Sequence, residues 1–516
     1  MRRFLVFLFA CALVTGAPAF AQSASDTAAK LQALQAELDA LKAQIDALKA
    51  QQMQQMQQPA PTKEAPKEQF VRLKPGRNVT FLVGKKDEVT VYGHLDLSYD
   101  YASKGLQPFY ASSGDSPVGN IGWMQDISTN LSYVGVRGFH VIGSNSRFLY
   151  QLETQLDISN TSGLSASNSN TSDQVKGGLT SRNTWIGVQY PWGSLKIGKT
   201  DAPYKTSTAR MNPFSGEWGD YSVIMGNTGG DNRVEFGTRL DHAIWYESPN
   251  WDGFHVNLLA SPGQNRAYDS SMLASGEADC AGGNIPGSGA TPPFCNDGAF
   301  GTAYSSSVSW MKGPIYATAA YELHKKVNRQ SDLANLDPND VADEDAWKIG
   351  AQYIWHKTTT FSAIYESMNR YVPAYLNYQN ERSRNGFWFA VTHWLDKSNN
   401  INVGWARANP SLGDPGVHNS PGGANPDNMS NMYTLAFKHI IDRHLSWYAD
   451  YASTLNHPAA HYDLGAGGRL VTTDCHDASI ETAFDATVIP PVSGVGPHCY
   501  AGGHLQGASV GLQVNF

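Results

Sequence analysis

From Val89 to the C-terminus the chain alternates apolar and polar residues with a period of two, and this rhythm restricts its fold more than any other feature. In VTVYGHLDLSYDY, the residues Val89, Val91, Leu95, Leu97, Tyr99 and Tyr101 alternate with Thr90, His94, Asp96, Ser98 and Asp100. Such a strand has one apolar and one polar face. Sixteen segments of this texture begin near residues 89, 127, 146, 182, 193, 233, 253, 303, 315, 346, 359, 385, 400, 430, 444 and 504. Seven of the connections are short: Ile142 to Asn145, Pro191 to Gly193, Pro249 to Asp252, Gly313-Pro314, Lys357-Thr358, Asp396 to Asn399, and Asp442-Arg443. The other eight are long and rich in Gly, Ser, Asn and Pro, and the two kinds alternate. A compact soluble domain rarely carries so many long loops. A transmembrane β-barrel requires them, with short periplasmic turns on one rim and long external loops on the other.

In a bilayer every backbone N–H and C=O must be satisfied within the protein, so strands span only as a closed ring. An even count of sixteen closes antiparallel and leaves an aqueous channel. The composition agrees: 16% of residues are charged, against about a quarter in ordinary soluble proteins. Glycine and aromatics fill the gap, with 49 Gly, 24 Tyr, 20 Phe and 13 Trp. No apolar run long enough for a membrane helix, about 20 residues, occurs beyond the first 20. Trp185, Tyr190, Trp192, Trp245, Tyr246, Trp310, Tyr316, Trp355, Trp394 and Trp447 fall near strand ends, where amphipathic rings are expected at headgroup level. The competing soluble reading, a β-sandwich with a few core tryptophans, accounts for neither the leader nor the loop alternation.

The N-terminus has the form of an export signal over residues 1–21: Arg2 and Arg3, an apolar run from Phe4 to Val14, and the small-x-small site Ala19-Phe20-Ala21. Cys11 follows Leu8-Phe9-Ala10, a loose lipoprotein box with too short an apolar core. Loss of Arg2 and Arg3 with the leader takes the formal charge from -8 to -10, which argues against a nucleic-acid partner. Export permits disulfides, and Cys280, Cys295, Cys475 and Cys499 allow three connectivities, of which the nearest-neighbour pairing is the simplest. Across residues 22–58, Leu31, Leu34, Leu38, Leu41, Ile45 and Leu48 keep the 3,4 spacing of a coiled-coil seam, which is buried only against copies of itself. The alternative is a lone surface helix. Pro59, Pro61 and Pro66 end this helix and open an extended linker over 59–88.

With these features in place, residues 89–516 resemble the Gram-negative general porins, trimeric sixteen-stranded diffusion channels. The resemblance is carried by Val91-Tyr92-Gly93-His94-Leu95-Asp96, by Ser132-Tyr133-Val134-Gly135-Val136-Arg137-Gly138, by FLYQLETQLD (148–157), and by SRNTWIGV (181–188) with GSLKIGK (193–199). RLDHAIWYESPNWDGF (239–254) continues the set, departing at His242 and Ala243 where Asn-Ser is usual. The chain ends VGLQVNF, and a terminal Phe516 on an alternating strand resembles the family's assembly signal. The heptad segment is a departure from most members.

The resemblance implies a homotrimer in the outer membrane, in contact with lipid and lipopolysaccharide, that passes small hydrophilic solutes and needs no cofactor. It also implies a third external loop, about 201–232, folded into the barrel as a constriction. That loop carries Glu217, Asp220 and Asp231. Strand parity offers Arg137, Arg147, Arg182, Arg233 and Arg239 as facing bases, and Lys199 stands where the family has an arginine. Acids facing bases across a pore create a transverse field. The basic surplus suggests a second function, a channel selective for anions such as carboxylates or phosphate. A third is a surface adhesion or receptor protein working through its last loop. Catalysis is not expected: Gly507-Ala508-Ser509-Val510-Gly511 fits G-x-S-x-G, but a nucleophile elbow needs a helix after its serine and here a strand continues. His457, His461, His476 and His498, with two cysteines, form a weak metal-binding alternative in the last loop. The heptad stalk is expected to project into the periplasm, aiding the trimer or touching the cell wall.

Overall fold

The chain divides into two units, 1–69 and 70–516. The computed structural model describes residues 35–36, 39–47, 71–74, 79–84, 86–105, 121–156, 158–159, 182–226, 236–262, 300–328, 341–371, 383–411, 429–457, 460, 462, 464–465 and 504–516. In the first unit the described residues are helical, with Leu41 and Ile45 exposed. The leader, Leu31, Leu34, Leu38 and Leu48 lie outside the described residues.

In the second unit the described residues include nineteen strands that form one antiparallel sheet. They are β1 (Val71–Lys74), β2 (Val79–Val83), β3 (Asp87–Gly105), β4 (Ile121–Thr129), β5 (Tyr133–Val141), β6 (Arg147–Gln155), β7 (Thr184–Tyr190), β8 (Gly193–Asp201), β9 (Arg239–Glu247), β10 (Phe254–Ser261), β11 (Thr302–Lys312), β12 (Ile315–Asn328), β13 (Val341–Trp355), β14 (Thr359–Arg370), β15 (Arg384–Trp394), β16 (Asn399–Ala408), β17 (Ser430–Ile440), β18 (Leu445–Asn456) and β19 (His504–Asn515). The sheet closes where β19 pairs with β3, from His504↔Gly105 to Asn515↔His94. Strands β4 and β5 pair with successive stretches of β3 and act as one wall strand, broken where Leu131 takes a φ of 52°. With β1 and β2 set aside, sixteen strands make the barrel, and the seven short turns fall where the sequence places them.

Two boundaries differ from the sequence reading. The segment expected from 233 begins at Arg239, because Phe236 still packs with Tyr204 of the loop and the Gly237 N–H donates to Glu322 on β12 and not to a neighbouring strand's backbone. The linker expected over 59–88 contains β1 and β2, a hairpin paired with the start of β3 (Val83↔Asp87 to Val79↔Val91). Strand β3 starts seven residues ahead of His94, where its pairing with β19 ends, so backbone there needs another partner. Val79-Thr80-Phe81-Leu82-Val83 carries the same alternation and supplies it.

The wall's outer face is apolar: Tyr304, Val308, Ile349, Phe387, Phe389, Val403, Leu435 and Val510 are exposed. Their sequence neighbours on the inner face are small or polar and buried, such as Ser305, Ser307, Ala390, Asn402 and Ala436. Tyr190, Trp192 and Tyr246 stack near a turn at centroid spacings of 5.4 and 6.0 Å, as expected of an interfacial belt. Trp245 and Tyr316 depart from that expectation. Trp245 packs with Ala202, Tyr204 and Phe236, and the Tyr316 hydroxyl donates to Ser207 O at 2.6 Å, so both face the interior.

Candidate functional site

What buries the inner face of β11 to β19 is the connection between β8 and β9, which turns into the barrel. Pro203, whose fixed φ suits a first helical turn, opens a short helix, Pro203–Thr208. Tyr204 anchors it: its N–H donates to Ser305 Oγ (3.0 Å), its hydroxyl to Glu366 (2.7 Å), and Lys348 Nζ lies 4.0 Å from its ring centroid. Burial and Glu366 hold that hydroxyl protonated, well above the ordinary phenol range. Further along, Phe214 meets Trp388 edge to face at 5.9 Å, and Trp388 Nε1 donates to Met211 O at 3.2 Å. The wall makes room with small residues. A Cβ on Gly404 would stand 2.7 Å from Phe214, and one on Gly350 2.9 Å from Met211.

At the tip, the structure does not present the expected acids to the pore. Glu217 is 1% exposed, with Oε1 accepting from Lys438 Nζ (2.6 Å) and Gln513 Nε2 (2.9 Å). Burial raises its pKa to about 7 against the opposing pull of Lys438. Asp220 is also buried and holds the loop's own backbone, accepting from Gly216 N, Ser222 N and Asn212 Nδ2. Gly219, at φ 75°, passes so close to β17 that a Cβ would meet Thr434 Oγ1 at 1.9 Å. Among the loop's described residues the exposed charged side chains are Lys205 and Arg210, both basic.

Arg137 and Arg182 stand on the wall the loop leaves bare, near β3. Arg137 is exposed, with its guanidinium 4.7 Å from the Tyr92 ring centroid. Arg182 lies 4.6 Å from the Tyr133 ring centroid and pairs with Glu153 at 2.7 Å. Tyr92 donates to the other oxygen of Glu153 at 2.9 Å. A cavity of about 470 Å³ opens here, lined by Tyr92, Tyr133, Arg137, Gln151, Glu153 and Phe516 among others. Arg239 joins from β9, held by Asp201 (3.1 Å) and Asn183 (2.8 Å), and Lys205 reaches the same Asp201 at 3.1 Å. The sequence reading passed over Glu153 and Asp201, although Glu153 shares strand parity with Arg147.

The other expected site residues lie apart. Arg147 packs over Phe139 (4.5 Å) at the end of β6 beside a short turn. Lys199 shares the β7–β8 ladder face of Ile186 and Ile197, both exposed, and pairs with Asp241 at 3.2 Å. The inward lysine of β8 is Lys196, seated over Trp185 at 4.3 Å and paired with Glu247 at 2.7 Å. Lys199 comes from the family's arginine position; the run Lys-Ile-Gly-Lys presents two lysines, and their odd spacing puts them on opposite faces. Arg233, Asp231, the four cysteines, His461, His476 and His498 lie outside the described residues. His457 donates its backbone N–H to Met429 O, and among the described residues no group of three His, Cys, Asp or Glu is placed to hold a metal. Ser509 sits within β19 and donates to Asp450, with no helix after it. Phe516 pairs with Gly93 through both backbone groups, fastening the chain end into the closure.

An apolar exterior, a closed sixteen-stranded wall and an inner loop that narrows a charged lumen together make an outer-membrane β-barrel channel. The chain belongs to the Gram-negative porin family, whose pattern matches residues 78–457. Among solved structures it is similar to the anion-selective porin from Comamonas acidovorans, at 15% identity over 84% of this chain and 100% of that one, with a TM-score of 0.54. It is also similar to Salmonella typhi OmpF in complex with daunomycin (13% identity, 84% of this chain, 98% of that one, TM-score 0.49). Vibrio cholerae OmpT gives 12% identity over 84% and 99%, with a TM-score of 0.47. No curated protein matches the chain in sequence.

Proposed function

We propose that the channel passes small hydrophilic solutes by passive diffusion and favours anions. One observation carries this reading: Lys205 and Arg210 are exposed on the inner loop while Glu217 and Asp220 are buried. Arg137 adds positive charge from the barrel wall and Arg182 offsets Glu153 there, so among the described residues the exposed bases outnumber the exposed acids of the loop. The sign is that of the selectivity named for the Comamonas acidovorans porin. Catalysis has no place in this reading. In a planar bilayer the native oligomer gives ohmic steps and a reversal potential of anionic sign in a salt gradient. A cationic sign rejects the preference, and absence of conductance rejects the channel.

The working form in this reading is a homotrimer, exported by the 1–21 leader and seated among lipid and lipopolysaccharide. The heptad segment ties the three chains together. Leu41 and Ile45, 60% and 46% exposed in a single chain, are the sort of seam that copies of the helix cover. The seam is under three heptads, marginal alone, and tethering to the barrels raises its effective concentration. Deleting residues 22–66 lowers the temperature at which the trimer dissociates and leaves conductance intact. An unchanged dissociation temperature removes the stalk from trimer assembly.

A further inference from the structure

The connection between β18 and β19 also turns inward, and it meets the inner loop. Its described residues are 457, 460, 462, 464 and 465. Asn456, the last residue of β18, holds Tyr462 by both backbone groups: the Tyr462 N–H donates to Asn456 Oδ1 (3.0 Å) and Asn456 Nδ2 donates to Tyr462 O (2.9 Å). Two residues on, Leu464 O accepts from the Gly219 N–H (2.9 Å), and Gly465 makes an antiparallel bridge with Trp218. The crossing is tight: Gly465 takes a φ of 144°, and a Cβ on it would stand 2.6 Å from Gly219 N. Ala460 and Tyr462 are buried in the cluster that holds Ile224 and Met225 of the inner loop.

Leu464 packs with Trp218 onto a patch of wall that has almost no side chains. The registers Ala452↔Gly507 and Gly507↔Ala102 set three small residues in one row across β18, β19 and β3. A Cβ on Gly507 would stand 2.6 Å from Leu464 Cδ2 and 3.1 Å from Trp218 Cε2. The next row on the same face is acidic, through Asp450↔Ser509 and Ser509↔Asp100. Asp450 and Asp100 are 5% and 0% exposed, and Asp450 Oδ2 has no hydrogen-bond partner among the described residues. Two rows further along β3 stands Asp96, which shares the Gln513 amide with Glu217. Strand β18 reaches its long connection through Asp450, Ala452 and Asn456 in that order, so the apolar row lies between the acids and the rim that carries the long loops.

We propose that Leu464, with Trp218, is a specificity-determining residue of the channel: it shuts the acidic rows of the inner wall off from the water of the pore, so that ions pass along the bare wall and the exposed bases alone. An apolar crevice filled by side chains stays dry. An acid enclosed away from water is costly to ionise and adds little charge to the lumen, whereas the same acid at a wet surface ionises at neutral pH. An uncharged leucine thereby sets part of the ion preference.

Reversal potentials of the native oligomer in a salt gradient at neutral pH test this. Leu464→Ser keeps the backbone carbonyl that Gly219 uses and replaces the apolar cover with a short polar group. Its potential is expected to move toward cations, with a several-fold change in the permeability ratio. Leu464→Ala is expected to move it the same way by less, and Leu464→Met, close in volume, to match the wild type. The pair Asp100→Asn with Asp450→Asn is expected to leave the potential unchanged by itself and to cancel most of the Leu464→Ser shift when combined with it, because coupling appears only between groups that act together. Heat-modifiability of each variant shows that the barrel has folded. A Leu464→Ser channel with the wild-type potential overturns the proposal, as does a Leu464→Met channel that shifts as far as Leu464→Ser. A shift that survives the loss of both acids assigns the effect to a displaced loop and overturns it too, and a shift from the acid pair alone means that the acids were never shielded. Each readout is a difference from the wild type, so a cation-selective wild type rejects the anion preference and leaves this test standing.

Discussion

The two sides of the barrel face the same water and are built in opposite ways. Strands β5 to β8 are short, seven to nine residues, and carry large charged and aromatic side chains inward: Arg137, Glu153, Trp185 and Lys196. Strands β11 to β19 are longer, 10 to 15 residues, and line their inner face with Ala, Gly and Ser at Ala303, Ser305, Gly350, Ala390, Gly404, Ala406, Ala436 and Gly507. The second wall is a seat and the first is a surface. Among these small residues stand the few large side chains that hold the loop, Lys348, Glu366, Trp388 and Lys438, so the loop packs to interior density against this wall and leaves the first one bare.

Filling the seat breaks this difference most severely. Gly219→Ala places a methyl where Thr434 Oγ1 already stands and forces a residue with a Cβ into positive φ, which alone costs about 1 kcal/mol. The loop tip is expected to lift, changing unitary conductance and increasing flicker. Thr434→Gly added to it relieves the clash but not the backbone strain, so recovery is partial. A Gly219→Ala channel with wild-type conductance and noise would break the picture of a seated loop.

Charge on the bare wall has the next largest effect. Arg182→Ser removes a base and leaves Glu153 without its ion pair, so the reversal potential in a salt gradient moves toward cations. Arg137→Ser, whose guanidinium rests on Tyr92, moves it the same way by less. Equal shifts would mean that Glu153 stays shielded by other groups. The smallest effect belongs to Lys199→Ser, which is expected to leave the potential where it was because Lys199 shares a face with Ile197. A clear shift would put Lys199 in the lumen and contradict the register.

The wall was legible in the sequence because its rule is local. Alternation at a period of two and the sequence of short and long connections need no knowledge of distant residues. The site is different, since Glu217 and Lys438 are 221 residues apart and nothing near either of them announces that the acid is buried. Asp220 and Glu217 look like pore acids in NPFSGEWGDYS until the wall opposite them is known. Parity points to Arg137, which lines the cavity beside Tyr92, whereas Lys199 comes from a family position and shares a face with Ile197. In β8 the choice was led by a family position, and the pairing with β9 shifts between Gly198 and Thr200 around His242, whose φ is 51°. Trp245 and Tyr316 read as interfacial because they sit near strand ends, yet each anchors the root of the inner loop.

The claim that exposed bases, and not the buried acids, set passage is tested most directly by the reversal potential of the double variant Lys205→Ser, Arg210→Ser beside Glu217→Gln and the wild type in one tenfold KCl gradient. The account predicts an anionic sign for the wild type, a shift toward cations in the double variant, and little change in Glu217→Gln. A cation-selective wild type, or a double variant that matches it while Glu217→Gln moves, would contradict it.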